Sequence, residues 1–278
     1  MQQQIQITQS QNPHKQKNRI WELDFVRGVA MLFMFVFHYH FVVSTLGHMF
    51  GDSLAQSGFV KASDAFFEPG ILFDKSMDQL FLSLVFFFPL LSGITSTFHT
   101  TDIKPFSKAG KFVLVAGAIS LVSFVIDQNF APGLYIRFGI IHMLALSMLL
   151  YAFLAMWTNH LCNKIFSFIA SHKRPLATTT NAIFSKPIPD QQKFVQKCTQ
   201  ITQAIFFAVI GLVMIIIGLA LDFPLINTKY SNTWAWLGLI NGSYTSGDYY
   251  PMLPYAGYFF VGIAIGKAFY ASRKSLLP

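Results

Sequence analysis

Residues 23–43 form an apolar run long enough to cross a bilayer, and five more such runs follow, at about 80–98, 110–126, 136–157, 204–221 and 252–270. A spanning helix needs about 20 mostly apolar residues. In lipid, backbone polar groups must be satisfied within the chain, which restricts such runs to helices. A soluble domain of 278 residues would also need more charge than this chain's 12% to cover its surface, given 53% hydrophobic residues and 31 phenylalanines. The fold class that follows is all-α: a polytopic membrane helix bundle of about six transmembrane helices.

Charge orders the intervals between the runs. The N-terminal tail carries Lys15, Lys17 and Arg19. The interval 44–79 is acidic, with Asp52, Asp64, Glu68, Asp74 and Asp78 against Lys61 and Lys75. Lys104, Lys108 and Lys111 follow in 99–111, whereas 127–135 has no Lys or Arg. The interval 158–203 is basic again, 222–251 has only Lys229, and the C-terminus holds Lys267, Arg273 and Lys274. Basic and non-basic intervals alternate, so the positive-inside rule predicts a multi-pass protein with both termini in the cytoplasm; the cytoplasmic (inner) membrane is the expected location. The net charge of +8 is read through this distribution. No basic stripe with interleaved aromatics lies outside the runs, which argues against nucleic-acid binding.

The first run is the richest in chemistry. RIWELDFVRGVAMLFMFVFHYHFVV, residues 19–43, opens with Arg19, Glu22, Asp24 and Arg27 and carries His38 and His40 near its far end. Ionisable groups inside a span are costly in lipid and usually face a bundle interior or an aqueous cavity. At about 100° per residue, Arg27 and His38 share a stripe, while His40 points almost the opposite way. Asp24 and Arg27 can pair at i,i+3. Two readings stay open: Arg27 snorkels beside Asp24 and His38 packs as a satisfied histidine, or both line one cavity.

The predicted topology gathers other polar residues on the outer side: His48 after the first span, Asp78 before the second, Arg137 and His142 in the fourth, and Asp248, Tyr249 and Tyr250 before the sixth. The organisation reads as a disordered polar tail (1–18), a four-helix group (19–157) with a long outer loop (44–79), a basic linker (158–203) and two last helices (204–278). A short amphipathic helix is expected in the outer loop. The tail lacks an apolar core, so it is not a cleavable signal peptide, and the first helix would act as an uncleaved anchor. Cys162 and Cys198 have no metal-ligand spacing around them, and free thiols and no metal are expected. Gly257, Gly262 and Gly266, like Ser92-Gly93 beside Pro89, suit close helix packing. The chain has no Walker loop, GxGxxG, GxSxG or HExxH.

Four segments together carry a resemblance. They are Arg-x-x-Glu-Leu-Asp-x-x-Arg-Gly-x-Ala with its methionine-rich continuation to Phe-His (19–41), the segment 78–98 with LLSGITSTF, Arg-Phe-Gly-Ile-Ile-His within 136–150, and DYYPMLPYAGYFFVGIAIG within 248–270. In this order they resemble bacterial relatives of heparan-α-glucosaminide N-acetyltransferase, a family of polytopic membrane acyltransferases. The resemblance implies an acetyl group taken from cytoplasmic acetyl-CoA, a co-substrate rather than a bound cofactor. It would pass to an amine or hydroxyl of a sugar or cell-envelope glycan on the outer side. It points to His38 and His48 as catalytic residues, without choosing among His38, His40 and His48 as the base; the predicted topology adds Asp78 as the carboxylate expected near His38. Arg19, Asp24, Arg27, Arg137 and His142 are the candidates for the acyl-CoA site, with Arg137 also suited to an oxyanion. His40, Asp248 and Tyr249 are the candidates for the acceptor. The partners implied are acyl-CoA, a sugar acceptor and the lipid bilayer, and a homodimer is among the assemblies admitted. The resemblance also implies one or more further helices beyond Pro278. Two other readings use the same residues: a transporter or channel with a His/Arg proton or substrate path, and an inactive truncated homologue.

Overall fold

The computed structural model describes residues 20–49, 57–58, 60–62, 75–98, 103–129, 133–172, 189–222 and 224–270. Among them are six long helices: α1 (Trp21–Met49), α2 (Lys75–Ser96), α3 (Ile103–Asn129), α4 (Ile140–His172), α5 (Pro189–Ala220) and α6 (Met252–Phe269). Each predicted run overlaps one of them. Four contain spans long and apolar enough to cross a membrane, at 106–129, 140–169, 193–220 and 252–269, and residues 86–96 form a shorter apolar helix. The chain is thus a multi-pass membrane protein.

The helices run further than the apolar runs. α4 continues to His172 and α5 starts at Pro189, so both reach into the interval read as a linker. Proline suits the first helical position, where its missing N–H has no partner to lose. α1 starts with Glu22 and Asp24 in its first turn, where carboxylates favour the helix dipole. α4 begins only at Ile140, so Arg137 lies before the helix rather than in its first turns. In the interval 44–79, Lys61 donates its amide to the Ser57 carbonyl at 3.1 Å, as in a helical turn.

α6 is the central element. Some 61% of its span is buried, against 17% for the span in α3, which therefore sits at the periphery. Phe207 of α5 stacks on Phe260 of α6 with centroids 5.9 Å apart, and both are fully buried with Phe259, Met143, Leu144 and Ile263. The outward faces are apolar: Leu114 is 76% exposed and Phe35 70%. Hydrocarbon is the solvent that suits such a surface.

Glycines set the closest approaches. A Cβ on Gly93 of α2 would overlap the Phe259 carbonyl oxygen of α6, and one on Gly262 of α6 would overlap the Leu90 carbonyl oxygen. A Cβ on Gly211 of α5 would come 2.7 Å from the Gly257 carbonyl oxygen. With no hydrophobic drive between helices in lipid, such backbone contact is a main source of association. This is the packing role expected for Gly93, Gly257 and Gly262.

Side-chain pairs give the directions. Phe86 meets Tyr255 at 5.8 Å and Phe98 meets Tyr270 at 6.2 Å, so α2 and α6 run the same way. Gly218 abuts Pro254 while Gln203 bonds Lys267, so α5 runs opposite to α6. Phe106 packs on Phe153 and Ser120 on His142, so α3 and α4 are antiparallel. Ile20, Leu23 and Ala30 cluster with Leu91, Ile94 and Tyr270, which puts the start of α1 beside the ends of α2 and α6. Arg27, Lys108 and Lys267 therefore share one end of the bundle, and Ser120, His142 and Asp248 the other.

The segment between α5 and α6 departs from the all-helical expectation. It holds a two-residue parallel pair, β1 (Leu225–Ile226) and β2 (Leu239–Ile240), in register 225 to 239 and 226 to 240. A turn of 3-10 helix, Asn232–Trp234, lies between them, capped by Ser231. A lone parallel bridge joins Phe138 to Tyr249.

Candidate functional site

At the second end, two extended stretches meet just outside the helices. Gly247 donates its amide to the Tyr135 carbonyl at 3.1 Å, and Tyr250 donates to Phe138 at 3.0 Å. Ser246 links them further: its hydroxyl donates to the Asp248 carbonyl at 2.6 Å and accepts the Arg137 amide at 3.2 Å. This short pairing carries Arg137 and Asp248 to the mouth of α4.

The start of α4 is then built from residues distant in sequence. Met143 donates its amide to the Gly139 carbonyl at 3.1 Å, which makes Gly139 the capping position. Glycine has no side chain to cap with. The Asp248 carboxylate supplies one, accepting the Ile140 amide on Oδ2 at 3.2 Å. A Cβ on Gly139 would overlap that same oxygen. His142 reaches back so that its Nδ1 accepts the Gly139 amide at 3.3 Å. Its Nε2 lies 2.8 Å from the Ser120 hydroxyl of α3, which donates to the Ile136 carbonyl at 2.8 Å.

Aromatic rings surround this cluster. The Arg137 guanidinium lies 5.5 Å from the ring centres of both Tyr135 and Tyr244. Tyr244 and Tyr249 pack with centroids 5.1 Å apart, and the Tyr249 hydroxyl donates to the Ala235 carbonyl at 2.8 Å. Burial pushes the Tyr249 phenol well above its ordinary value, with Tyr244 and Tyr255 adding to the effect. Tyr250 is pushed up to about 12, by burial first and then by the Asp248 charge. Tyr244 is also raised by burial, an effect partly offset by Ser246 and Arg137.

At the first end, Arg27 Nη1 lies 3.6 Å from Asp24 Oδ1, the pairing their spacing suggests. Lys108 of α3 is near enough to feel the Arg27 charge. Cations that converge in this way suit a phosphate-bearing ligand. A second polar group lies at the same end. Lys267 donates to Gln203 Oε1 at 2.7 Å and sits 5.8 Å from the Tyr151 ring centre. The Gln203 amide donates to the Thr158 hydroxyl at 2.9 Å and to Asn159 Oδ1 at 2.8 Å. Cys162 and Cys198 are free thiols.

The structure thus brings Arg137, His142, Asp248 and Tyr249 together, and places Asp24 and Arg27 at the other end. Lys108 and Ser120 mark the two ends on one helix, twelve residues or about 18 Å apart. α1 is continuous from Arg27 through His38, His40 and His48, and Asp78 lies in the first turn of α2. The side chains of His38, His40, His48 and Asp78, and all of Arg19, lie outside the described residues. Sequence reasoning passed over Ser120, Gly139 and Ser246 at one end and Gln203, Thr158 and Asn159 at the other. Gln203 is the last of five glutamines in α5, directly before its apolar run, and nothing in the sequence singled it out. Lys267 was read only as one of the basic residues near the C-terminus. Among the described residues, no group of three His, Cys, Asp or Glu side chains could hold a metal ion.

Comparison with known proteins agrees with the four-segment resemblance. No curated protein and no solved structure matches the chain. The family described as heparan-alpha-glucosaminide N-acetyltransferase, catalytic, matches residues 19–188 and 194–277. That match runs through all six helices and both polar ends, and the chain belongs to this family of membrane acetyltransferases.

Proposed function

We propose that the protein takes an acetyl group from acetyl-CoA at the end of the bundle bearing Arg27 and Lys108. It passes the group to an amine or hydroxyl of a sugar or envelope glycan that reaches the other end. The observation that carries this reading, beside the family, is that Arg27, paired with Asp24, and Lys108 come from two helices to one end of the bundle. The acceptor nitrogen or oxygen attacks the thioester carbonyl carbon, the C–S bond breaks, and the thiolate leaves. The acceptor's proton passes to a base. Histidine suits that base near neutral pH, and His38, His40 and His48 follow Arg27 along α1, with Asp78 opening α2. Arg137 faces the acceptor end and suits the oxyanion or the sugar.

The alternation of basic intervals supports six membrane crossings and both termini in the cytoplasm; location in the inner membrane follows the resemblance to bacterial relatives. The donor would then enter from the cytoplasm and the acceptor from outside.

The test is acetyl-CoA binding to the purified full chain in detergent, by calorimetry, with Arg27→Ala and His38→Ala beside it. Saturable binding lost in Arg27→Ala and kept in His38→Ala is the expected result. Folded protein that binds nothing at millimolar acetyl-CoA would sink the reading.

A further inference from the structure

We propose that His142 is held as its Nε2–H tautomer, a fixed hydrogen-bond donor rather than the base of the reaction, and that Asp248 is the positioning residue that holds it so. The kinetic part rests on the acetyl-transfer reading; the tautomer does not.

The hydrogen bonds admit one arrangement of protons. The Gly139 amide can only donate, so the Nδ1 that accepts it at 3.3 Å carries no proton. The ring's proton then sits on Nε2, 2.8 Å from the Ser120 oxygen. The Ser120 hydroxyl proton is already committed to the Ile136 carbonyl at 2.8 Å, so that oxygen receives the Nε2 proton on a lone pair. The other tautomer would set Nδ1–H against the Gly139 N–H. It would also leave Nε2 with no proton from Ser120 unless the bond to Ile136 broke.

The local geometry explains why this histidine is locked. His142 occupies the third position of α4 and bonds the amide of the capping residue. That is the back half of a capping box, a place where glutamate or glutamine is usual. The front half needs a capping side chain, which Gly139 lacks. Asp248 provides it from 108 residues away, taking the Ile140 amide. Its backbone is in turn fixed by the Ser246 hydroxyl and by the Tyr135–Gly247 and Phe138–Tyr250 bonds. Without the carboxylate the first turn of α4 is free to fray, and the Gly139 amide leaves Nδ1.

A general base needs a lone pair free to face the acceptor. His142 has none: Nδ1 is occupied by Gly139, and Nε2 bears the proton. The base therefore lies elsewhere, and the histidines of α1 are left to supply it.

The test has two arms on the full chain in nanodiscs, each with folding checked by circular dichroism and gel filtration. In the first, 15N-histidine spectra with two-bond 15N–1H correlations report the ring, and His142→Gln assigns its signal. The wild type should show the Nε2–H pattern. Asp248→Asn, whose amide oxygen still accepts, should keep it, and Asp248→Ala should show a tautomer mixture. An Nδ1–H or doubly protonated ring in the wild type, or an unchanged pattern in Asp248→Ala, would overturn the proposal. In the second arm, His142→Gln can still accept from Gly139 and donate to Ser120. Its turnover should stay within about tenfold of wild type, whereas loss of a general base costs about 100-fold or more. A folded His142→Gln with that larger loss returns His142 to the base role. If no acetyl transfer is found in any form, the function fails and the spectra still decide the tautomer.

Discussion

Lys267 donates to Gln203 at 2.7 Å, and this contact joins α6 to α5 inside the bundle. Gln203 is 2% exposed and passes the connection on to Thr158 and Asn159 of α4. One side chain thus ties three helices by hydrogen bonds that lipid could not replace. Gln203→Ala removes all of them at once. It should lower stability by about 2–3 kcal/mol, because a cation and two polar side chains lose a buried partner. Thermal unfolding in detergent reads this directly. Gln203→Leu combined with Lys267→Met should cost less than the sum of the two single changes, as coupled partners do.

The close approaches make a second, sharper contrast. Gly93→Ala puts a methyl group onto the Phe259 carbonyl oxygen, and α2 must move away from α6. About 3 kcal/mol of destabilisation, or failure to accumulate as folded protein, is expected. Gly117→Ala in α3 meets nothing within 4 Å. Its better helix propensity should leave stability unchanged or raise it by up to about 1 kcal/mol. Equal effects in the two variants would mean that the α2–α6 contact does not form in the protein.

The tyrosines outside the membrane spans predict an alkaline limit. Tyr250 is raised from 10 to about 12, so the folded state keeps its proton where the unfolded chain has already lost it. Stability from this group is fully present below pH 10 and falls as pH rises from there toward 12. Tyr244 and Tyr249 shift the same way and add to the slope. Tyr250→Phe should flatten the decline without altering the neutral plateau. Denaturation followed at stepped pH, with phenolate absorbance as the titration signal, checks the sign and the window.

The charge at the Arg27 end can be tuned in both directions. Asp24 lies 3.6 Å from Arg27 and partly neutralises it. If the cations there receive the donor's phosphates, Asp24→Asn should tighten acetyl-CoA binding by about two- to tenfold. Lys108→Ala should weaken it by about tenfold, as loss of one charge-assisted contact does. Calorimetry at low and physiological salt measures both. A Lys108→Ala variant that binds like the wild type would remove this end from the donor site.

Chain length and hydrophobic run alone determined that this protein is a helical membrane bundle, because the length of an apolar run is a local property and lipid leaves it one secondary structure. The i,i+3 pair of Asp24 and Arg27 and the packing role of Gly93, Gly257 and Gly262 were legible for the same reason: helix periodicity puts them on defined faces. The helix ends were not. The start of α4 at Ile140 depends on the Asp248 carboxylate, which arrives from the segment before α6, 108 residues further along the chain. The grouping of Ser120 with His142, and of Gln203 with Lys267, depends on which helices pack and at what height. Those pairings join residues 22 and 64 positions apart. No periodicity within a single helix encodes them, so only the packed tertiary structure could decide them.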